Sequence, residues 1–207
     1  MQPTVITISN MSSFPPSSPS AVFVPHTTVS ISAPASAVYA LLTDIDTYND
    51  WNPFIPHVDI TSNHARGRMQ LDMQMTFHVK MPFIGYRMPT MSKEKVVLLE
   101  TPNFSSQGVT TASGSDAQQV LSGSAGGSER RVWRAQWVED GTPKFLLRAR
   151  RFNEIEELPD GGCVYRTAEI FEGPAAYLVK FIVGAGVQKG IQEWAEGLKK
   201  KAEAIGA

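Results

Sequence analysis

The sequence predicts an α+β domain in which an antiparallel sheet of seven strands wraps a long C-terminal helix. Strand-like segments follow one another with hairpin turns between several of them, which is the antiparallel pattern. Two short helical segments follow the first strand, so the helices are separated from most of the strands. The last segment, 174–207, is amphipathic and much longer than the other helical segments. Such a helix needs a sheet or other partner to cover its apolar side.

The composition indicates one globular domain inside the cell. The chain has 207 residues, of which 42% are hydrophobic, enough for an ordinary core. The net charge of -1 argues against a general nucleic-acid binder. Cys163 is the single cysteine, so no internal disulfide can form. Because no secretory or membrane-spanning run is evident, we expect a cytoplasmic protein without stable membrane insertion. The sequence leaves the oligomeric state open.

The first part of the domain contains one strand and two short helices. Residues 1–26 are rich in Ser and Pro and predict a flexible tail, which leaves 27–207 as the single domain. The segment 27–33 alternates and predicts the first strand. A helix over 35–43 and a second helical turn over 44–50 follow it.

The middle of the chain predicts three further strands, over 54–62, 68–81 and 92–100. The alternation is clearest in 68–81, where every odd position is apolar and every even position is polar. Such a strand has one buried face and one solvated face. The segment 82–89 contains two prolines and predicts a turn.

A segment at 103–128 is rich in Gly and Ser and has almost no large side chains. It predicts a flexible insertion, because it buries too little surface to offset its ordering entropy. Both a lid over a pocket and a plain hairpin loop fit this composition. Three more strands are predicted after it, over 130–139, 144–157 and 162–171.

The predicted C-terminal helix combines an apolar stripe with glycines near its centre. Glycine costs about 1 kcal/mol relative to alanine inside a helix, so Gly184, Gly186 and Gly190 need a reason. The apolar residues at spacings of mostly three or four are Leu178, Phe181, Ile182, Ala185, Ile191, Trp194, Ala195, Leu198, Ala202 and Ile205.

Three stretches resemble a known superfamily. They are SISAPASAVYALLTDIDTYNDWNPFI after the tail, GGCVYRTAEIFEG in the last strand and QKGIQEWAEGLKKKAEA in the last helix. With the element order, they resemble the helix-grip fold of START-like (SRPBCC) proteins, closest to the polyketide cyclase/dehydrase-like group. The resemblance covers about 27–206. It implies a curved sheet that grips the last helix and leaves a cavity for a mostly apolar small molecule.

The resemblance also suggests which residues line this cavity. The residue types agree with an apolar site, because methionine adapts to irregular shapes and aromatic rings add contact area. The same stripes would also fill an ordinary core. The glycines would make room on the helix. The expected ligand-binding residues are Met69, Met73, Met75, Phe77, Trp133, Trp137, Phe152, Phe171, Phe181, Gly186 and Gly190.

A few polar groups are candidates for chemistry in the cavity. Glu169 is predicted on the inner face of the last strand, with Arg150 as its partner and Tyr165 as a hydrogen-bond donor nearby. They would anchor a ligand or transfer protons. A structural ion pair, or both charges facing water, is the alternative. His57 and His78 are weaker catalytic candidates, and His78 falls on the solvated face of its strand.

No motif in the sequence indicates a cofactor. There is no metal-ligand spacing, no glycine-rich phosphate loop and no GxSxG nucleophile elbow. We therefore expect no metal and no cofactor, and a hydrophobic small molecule as the partner. The leading hypothesis is a binding protein for a lipid or polyketide-like metabolite. A cofactor-free cyclase or dehydratase acting in the same cavity is the alternative, and a protein–protein adaptor ranks third.

Overall fold

A computed structural model describes residues 14–83, 86–102 and 130–206. Within these residues the chain forms an eight-stranded antiparallel sheet, short helices after the first strands and a long C-terminal helix, so the predicted α+β architecture is confirmed. The elements in chain order are β1 (Ala21–Phe23), β2 (His26–Ile31), α1 (Ala35–Thr43), a 3-10 turn (Ile45–Thr47), α2 (Tyr48–Trp51), β3 (His57–Ile60), β4 (Gln74–Phe83), β5 (Tyr86–Glu100), β6 (Val132–Glu139), β7 (Arg148–Glu157), β8 (Cys163–Glu172) and α3 (Pro174–Gly206).

The sheet runs in the order β1-β8-β7-β6-β5-β4-β3, and β2 also pairs with β8. Both β1 and β2 lie along the same side of β8, on its second and first half. Residues 21–26, which the sequence analysis assigns to the tail, therefore belong to the sheet. Pro25 separates the two pieces and cannot donate a ladder hydrogen bond. The sheet has eight strands rather than the seven predicted because of this extra piece.

The strand predicted over 68–81 begins only at Gln74. Asp72 has a φ of 65°, in the left-handed region. The chain therefore turns at Asp72, and the extended strand starts only after it. The backbone N–H of Met69 donates to the carbonyl of Thr43 at the end of α1, rather than to a neighbouring strand. The apolar alternation is broken at Leu71, which is 55% exposed.

The segment 82–89, predicted as a turn, belongs to the β4–β5 hairpin. Pairing continues to Phe83 opposite Tyr86 and includes both Pro82 and Pro89. This part of the hairpin extends beyond the ends of β3 and β6, so each strand has only one partner there. A proline is tolerated where a strand lacks a second neighbour. Further along the sheet, β7 begins at Arg148, four residues later than predicted.

The core between α3 and the sheet is built around Trp194. Its ring packs edge-on against Tyr48 and Trp51 of α2, at centroid distances of 5.3 and 5.4 Å. Trp137 of β6 lies on its other side at 6.1 Å. Edge-to-face aromatic packing of this kind adds stability beyond area burial.

The predicted insertion at 103–128 lies outside the described residues. Its flanks, Pro102 and Arg130, follow β5 and precede β6. No helix in the described ranges combines the length and apolar character that crossing a membrane requires.

Candidate ligand cavity between the sheet and the C-terminal helix

A cavity of about 310 Å³ lies between α3 and the inner face of the sheet. Its walls come from β4, β5, β6, β7, β8, the segment before β3 and the first half of α3. Most of the lining is apolar, with a few polar groups, which is the usual composition of a small-molecule site. The lining residues are Phe54, Ile55, Phe77, Val79, Met81, Met88, Thr90, Met91, Ser92, Glu94, Trp137, Leu147, Arg151, Glu169, Phe171, Val179, Val183 and Val187.

Two of the larger depressions have a different character. One of about 910 Å³ lies between α2 and the second half of α3, and its rim carries Lys80, Arg87, Lys200 and Lys201. The other, of about 450 Å³, lies on the outer face of the sheet beside Phe152. We take the smaller cavity as the site because it lies between sheet and helix and joins apolar walls to convergent charged groups.

The helical wall of the cavity is made of valines. Val179, Val183 and Val187 recur every four residues, so they lie on one side of α3. One turn further along the same row, Ile191 is fully buried. The short valine side chains leave space where a longer side chain would reach the sheet.

Exposed apolar side chains adjoin the lining residues in the sequence. Phe145 and Leu146 precede Leu147, and they are 81% and 40% exposed. Phe181 and Ile182 lie between the lining valines and are 81% and 57% exposed. Exposed apolar side chains therefore flank several lining residues along the chain.

An ion pair between neighbouring strands forms part of the lining. Arg151 of β7 lies opposite Glu169 of β8 in the register, and its Nη1 is 3.1 Å from the Glu169 carboxylate. The Nε of Arg151 donates to Thr167 at 2.9 Å, and its guanidinium lies over the Trp194 ring at 5.1 Å. Its Nη2 is buried and has no hydrogen-bond partner within the described residues. A buried unsatisfied donor of this kind is costly and calls for an acceptor.

Glu94 of β5 is a second carboxyl group in the lining. It is only 6% exposed and accepts a hydrogen bond from the Ser92 hydroxyl at 2.6 Å. Burial raises the pKa of Glu94 well above its ordinary value, and the charge of Glu169 raises it further. The raised pKa favours the protonated form of Glu94, which can donate a hydrogen bond.

Glu169 differs from Glu94 because it has a cationic partner. Burial raises the pKa of Glu169, whereas the charge and hydrogen bond of Arg151 oppose that rise. Its side chain keeps 17% of its surface exposed. The cavity therefore holds one carboxyl group with a guanidinium partner and one without.

A buried hydrogen-bond network supports the ion pair on the side of Arg151. The Tyr165 hydroxyl donates to Asn153 Oδ1 at 2.7 Å and accepts from Trp194 Nε1 at 2.8 Å. Asn153 Nδ2 in turn donates to the carbonyl of Ala135 at 3.1 Å. Thr167 is 3.0 Å from the same Asn153 oxygen and accepts from Arg151, which joins the network to the cavity. Burial raises the pKa of Tyr165, so it stays neutral and positions Arg151 indirectly.

The predicted residues that precede α3 divide into three groups. Glu169, Phe77, Trp137 and Phe171 line the cavity. A second group is buried in the core without lining the cavity. This second group comprises Met69, Met73, Met75, Trp133 and Tyr165.

The third group faces away from the cavity. Arg150 is exposed and Phe152 packs on the outer face of the sheet, where the Arg150 guanidinium lies 5.9 Å from its ring. The prediction placed the wrong alternate positions of β7, Arg150 and Phe152, on the inner face. The inner face of β7 instead carries Arg151 and Asn153. The partner of Glu169 is therefore Arg151 and not Arg150.

The predicted roles on α3 also change. Phe181 is 81% exposed and does not line the cavity. A Cβ on Gly186 would overlap the carbonyl oxygen of Pro82, and one on Gly190 would overlap the Phe54 ring. The glycines thus allow close contact between α3 and its neighbours, whereas the valines provide the space.

Sequence reasoning missed Glu94, Arg151 and the valine row. Glu94 shares a strand face with the buried Val96, and a carboxyl group in line with an apolar residue is a signal for a buried acid. The polar residues of β7 gave no such signal, because charged residues occur on both faces of that strand. His57 and His78 are exposed on the outer face of β3 and β4, so they are remote from the cavity.

Comparison with known proteins agrees with this architecture. The sequence model of the family described as polyketide cyclase / dehydrase and lipid transport matches residues 25–203. The "Oxopyrrolidines biosynthesis cluster protein O" of Penicillium oxalicum is 28% identical over 166 residues, covering 74% of this chain and 73% of that protein.

Solved structures show the same fold at low sequence identity. The Zhui aromatase/cyclase from Streptomyces sp. R1128 superposes with a TM-score of 0.56 at 16% identity, over 87% of this chain and 93% of that one. A norcoclaurine synthase from Thalictrum flavum gives a TM-score of 0.54 at 12% identity, over 89% and 96% of the two chains. These likenesses show the helix-grip fold.

Proposed function

The chain belongs to the polyketide cyclase / dehydrase and lipid transport family, and on this premise we propose that it binds a hydrophobic or aromatic small molecule, such as a lipid or a polyketide-like metabolite, in the cavity against α3. One observation carries the proposal: an apolar cavity of about 310 Å³ whose lining includes Arg151, Glu94 and Glu169. Its relative from Penicillium oxalicum carries the name of a biosynthesis cluster, which supports a metabolite as the ligand.

The arrangement of charges suggests the chemistry of the ligand. The guanidinium of Arg151, which forms part of the lining, can donate to a carbonyl, enolate or carboxylate oxygen. A protonated Glu94 can donate to a second oxygen. The ligand is therefore an apolar molecule with one or two oxygen functions, which lie near the charged groups while its apolar part contacts the valines and Phe77.

The binding proposal is tested by narrowing the cavity from the helix. We expect Val183→Phe to fill part of the cavity and to weaken binding of the copurifying ligand, identified by native mass spectrometry. Ile182→Phe is the matched control, since Ile182 is the next residue of α3 but is 57% exposed. Equal ligand retention by both variants, with both folded, would place the ligand elsewhere and overturn the proposal.

The second candidate function is a cofactor-free cyclase or dehydratase that acts in the same cavity. The observation that favours it is the pair of carboxyl groups in unequal surroundings. Glu94 has the environment of a proton donor, and Glu169 beside Arg151 has that of a proton acceptor. In this role Arg151 would stabilise an enolate oxygen as negative charge develops on it.

Glu94→Gln separates binding from catalysis, because glutamine keeps the shape but cannot release a proton. For an enzyme we expect the loss of most turnover of polyketide-like substrates with ligand affinity retained. Glu100→Gln is the control on the same strand, since the Glu100 side chain is 48% exposed. A wild-type protein that retains its ligand but turns over none of these substrates is a binding protein.

A further inference from the structure

Three side chains with metal-ligating atoms meet on the outer face of the β3–β4 pair. The Nε2 atoms of His57 and His78 lie 3.0 and 2.6 Å from the two carboxylate oxygens of Asp59. One ligand atom from each residue falls within 4.8 Å of the others, and the imidazole rings are 4.9 Å apart. Two imidazoles and one carboxylate thus lie close to one another on this face.

The strand register creates this arrangement. His57 lies directly opposite His78, and Asp59 follows His57 by two residues on the same face of β3. The residues opposite Asp59 and on the far side of His78 are Thr76 and Met91, so no cation stands directly opposite a member of the cluster.

We propose that His57, Asp59 and His78 bind a divalent transition-metal ion of the Zn²⁺ type. Imidazole nitrogen suits Zn²⁺, Cu²⁺ and Ni²⁺, and two histidines with one carboxylate form a three-ligand site that leaves a position for water. On binding, each neutral imidazole must carry its proton on Nδ1, so that Nε2 is free for the metal. The three ligand atoms then close around the ion, at about 2.0 to 2.2 Å from it.

The site is separate from the ligand cavity. The histidines lie on the outer face of β3 and β4, whereas Phe77 and Val79 of the same β4 face the cavity. No short ligand-spacing motif reveals the site in the sequence, because Asp59 and His78 lie 19 positions apart in the chain. An ion there would join β4 to the edge strand β3, and we expect it to strengthen that pairing.

The test is a calorimetric titration of the full chain, without a histidine affinity tag, with Zn²⁺. We expect one ion per chain, and a loss of affinity of at least about 100-fold in His78→Gln and in Asp59→Asn, since even outer-shell changes cost about 10- to 100-fold. His26→Gln is the matched control, because His26 is an exposed histidine on β2, toward the opposite edge of the sheet.

Two results would overturn the proposal. One is the absence of Zn²⁺ binding by the wild-type protein. The other is a Zn²⁺ affinity that is as high in His78→Gln and in Asp59→Asn as it is in His26→Gln. The visible absorption of bound Co²⁺ provides a second readout, since its intensity distinguishes protein ligands in a tetrahedral site from a hydrated ion. All three residues are at least one-third exposed, so we expect the variants to fold, as circular dichroism can verify.

Discussion

The two ends of the space between α3 and the sheet are built differently. At the solid end, Trp194 is fully buried and packs against Tyr48, Trp51 and Trp137. At the hollow end, the valine row around Val183 faces a cavity across from β4 and β5. One helix and one sheet therefore provide both a close-packed core and a binding space.

The difference teaches that side-chain size on the helix decides where the space lies. The row that runs through Val183 continues to Ile191 and then to Ala195, and both of these are buried. Beside them, the Trp194 ring fills the space between α3 and the sheet at the solid end. At the hollow end, the valines leave the corresponding space open. Trp137 lines the cavity and also contacts Trp194, so it lies between the two ends.

The largest expected effect comes from the same substitution at the two ends of α3. Leu198→Ala should lower the free energy of unfolding by about 2 to 5 kcal/mol, because Leu198 is fully buried. Leu178→Ala should change it by no more than about 0.5 kcal/mol, because Leu178 is 62% exposed. Urea unfolding of both variants measures the difference. Similar losses would mean that the first half of α3 is covered in solution.

A smaller effect is expected where α3 approaches the β4–β5 hairpin. Gly186→Ala should cost about 1 to 3 kcal/mol, because the new Cβ would overlap the Pro82 carbonyl oxygen and backbone must move. Gly206→Ala is the control, since its Cβ would meet nothing within 4 Å. Thermal unfolding and ligand retention should be measured together. A Gly186→Ala protein of full stability that had lost its ligand would assign this glycine to the cavity instead.

An effect of similar size depends on pH and concerns the hollow end. The raised pKa of Glu94 means that the folded state keeps a proton that the unfolded state releases above about pH 4.5. This contribution to stability is complete below that pH and is lost as the pH rises toward the folded-state pKa. Glu94→Gln should therefore stabilise the protein by about 1 to 3 kcal/mol at neutral pH and by much less near pH 4. Urea unfolding at both pH values measures it, and a gain of equal size at both would show that folding does not shift the pKa of Glu94.

Much of the architecture could be predicted because period and turn chemistry are local. The alternation after Gln74 places Met75, Phe77 and Val79 on one face, and all three are buried. Ile191, Trp194 and Leu198 recur at helical spacing, and they too are buried. Each of these segments has a single apolar side, so only one orientation of the segment buries that side in the core.

The candidate site was harder to predict because two of its elements have no single apolar side. The first half of α3 is apolar almost all round, and the predicted stripe of Leu178, Phe181 and Ile182 is in fact exposed. In β7 both alternations carry charges, so the pattern gave no reason to choose Arg151 over Arg150. Periodicity cannot choose a face where both faces look alike.

The sequence by itself determined the sheet, the terminal helix, the buried stripe around Trp194 and the place of Glu169 on an inner strand face. The tertiary structure decided which side of α3 meets the sheet, that Arg151 pairs with Glu169 and that Glu94 joins them. It also brought His57, Asp59 and His78 together across two strands. The physical reason is that periodicity reports only local burial, whereas a site requires groups distant in sequence to meet, and strand register fixes that meeting.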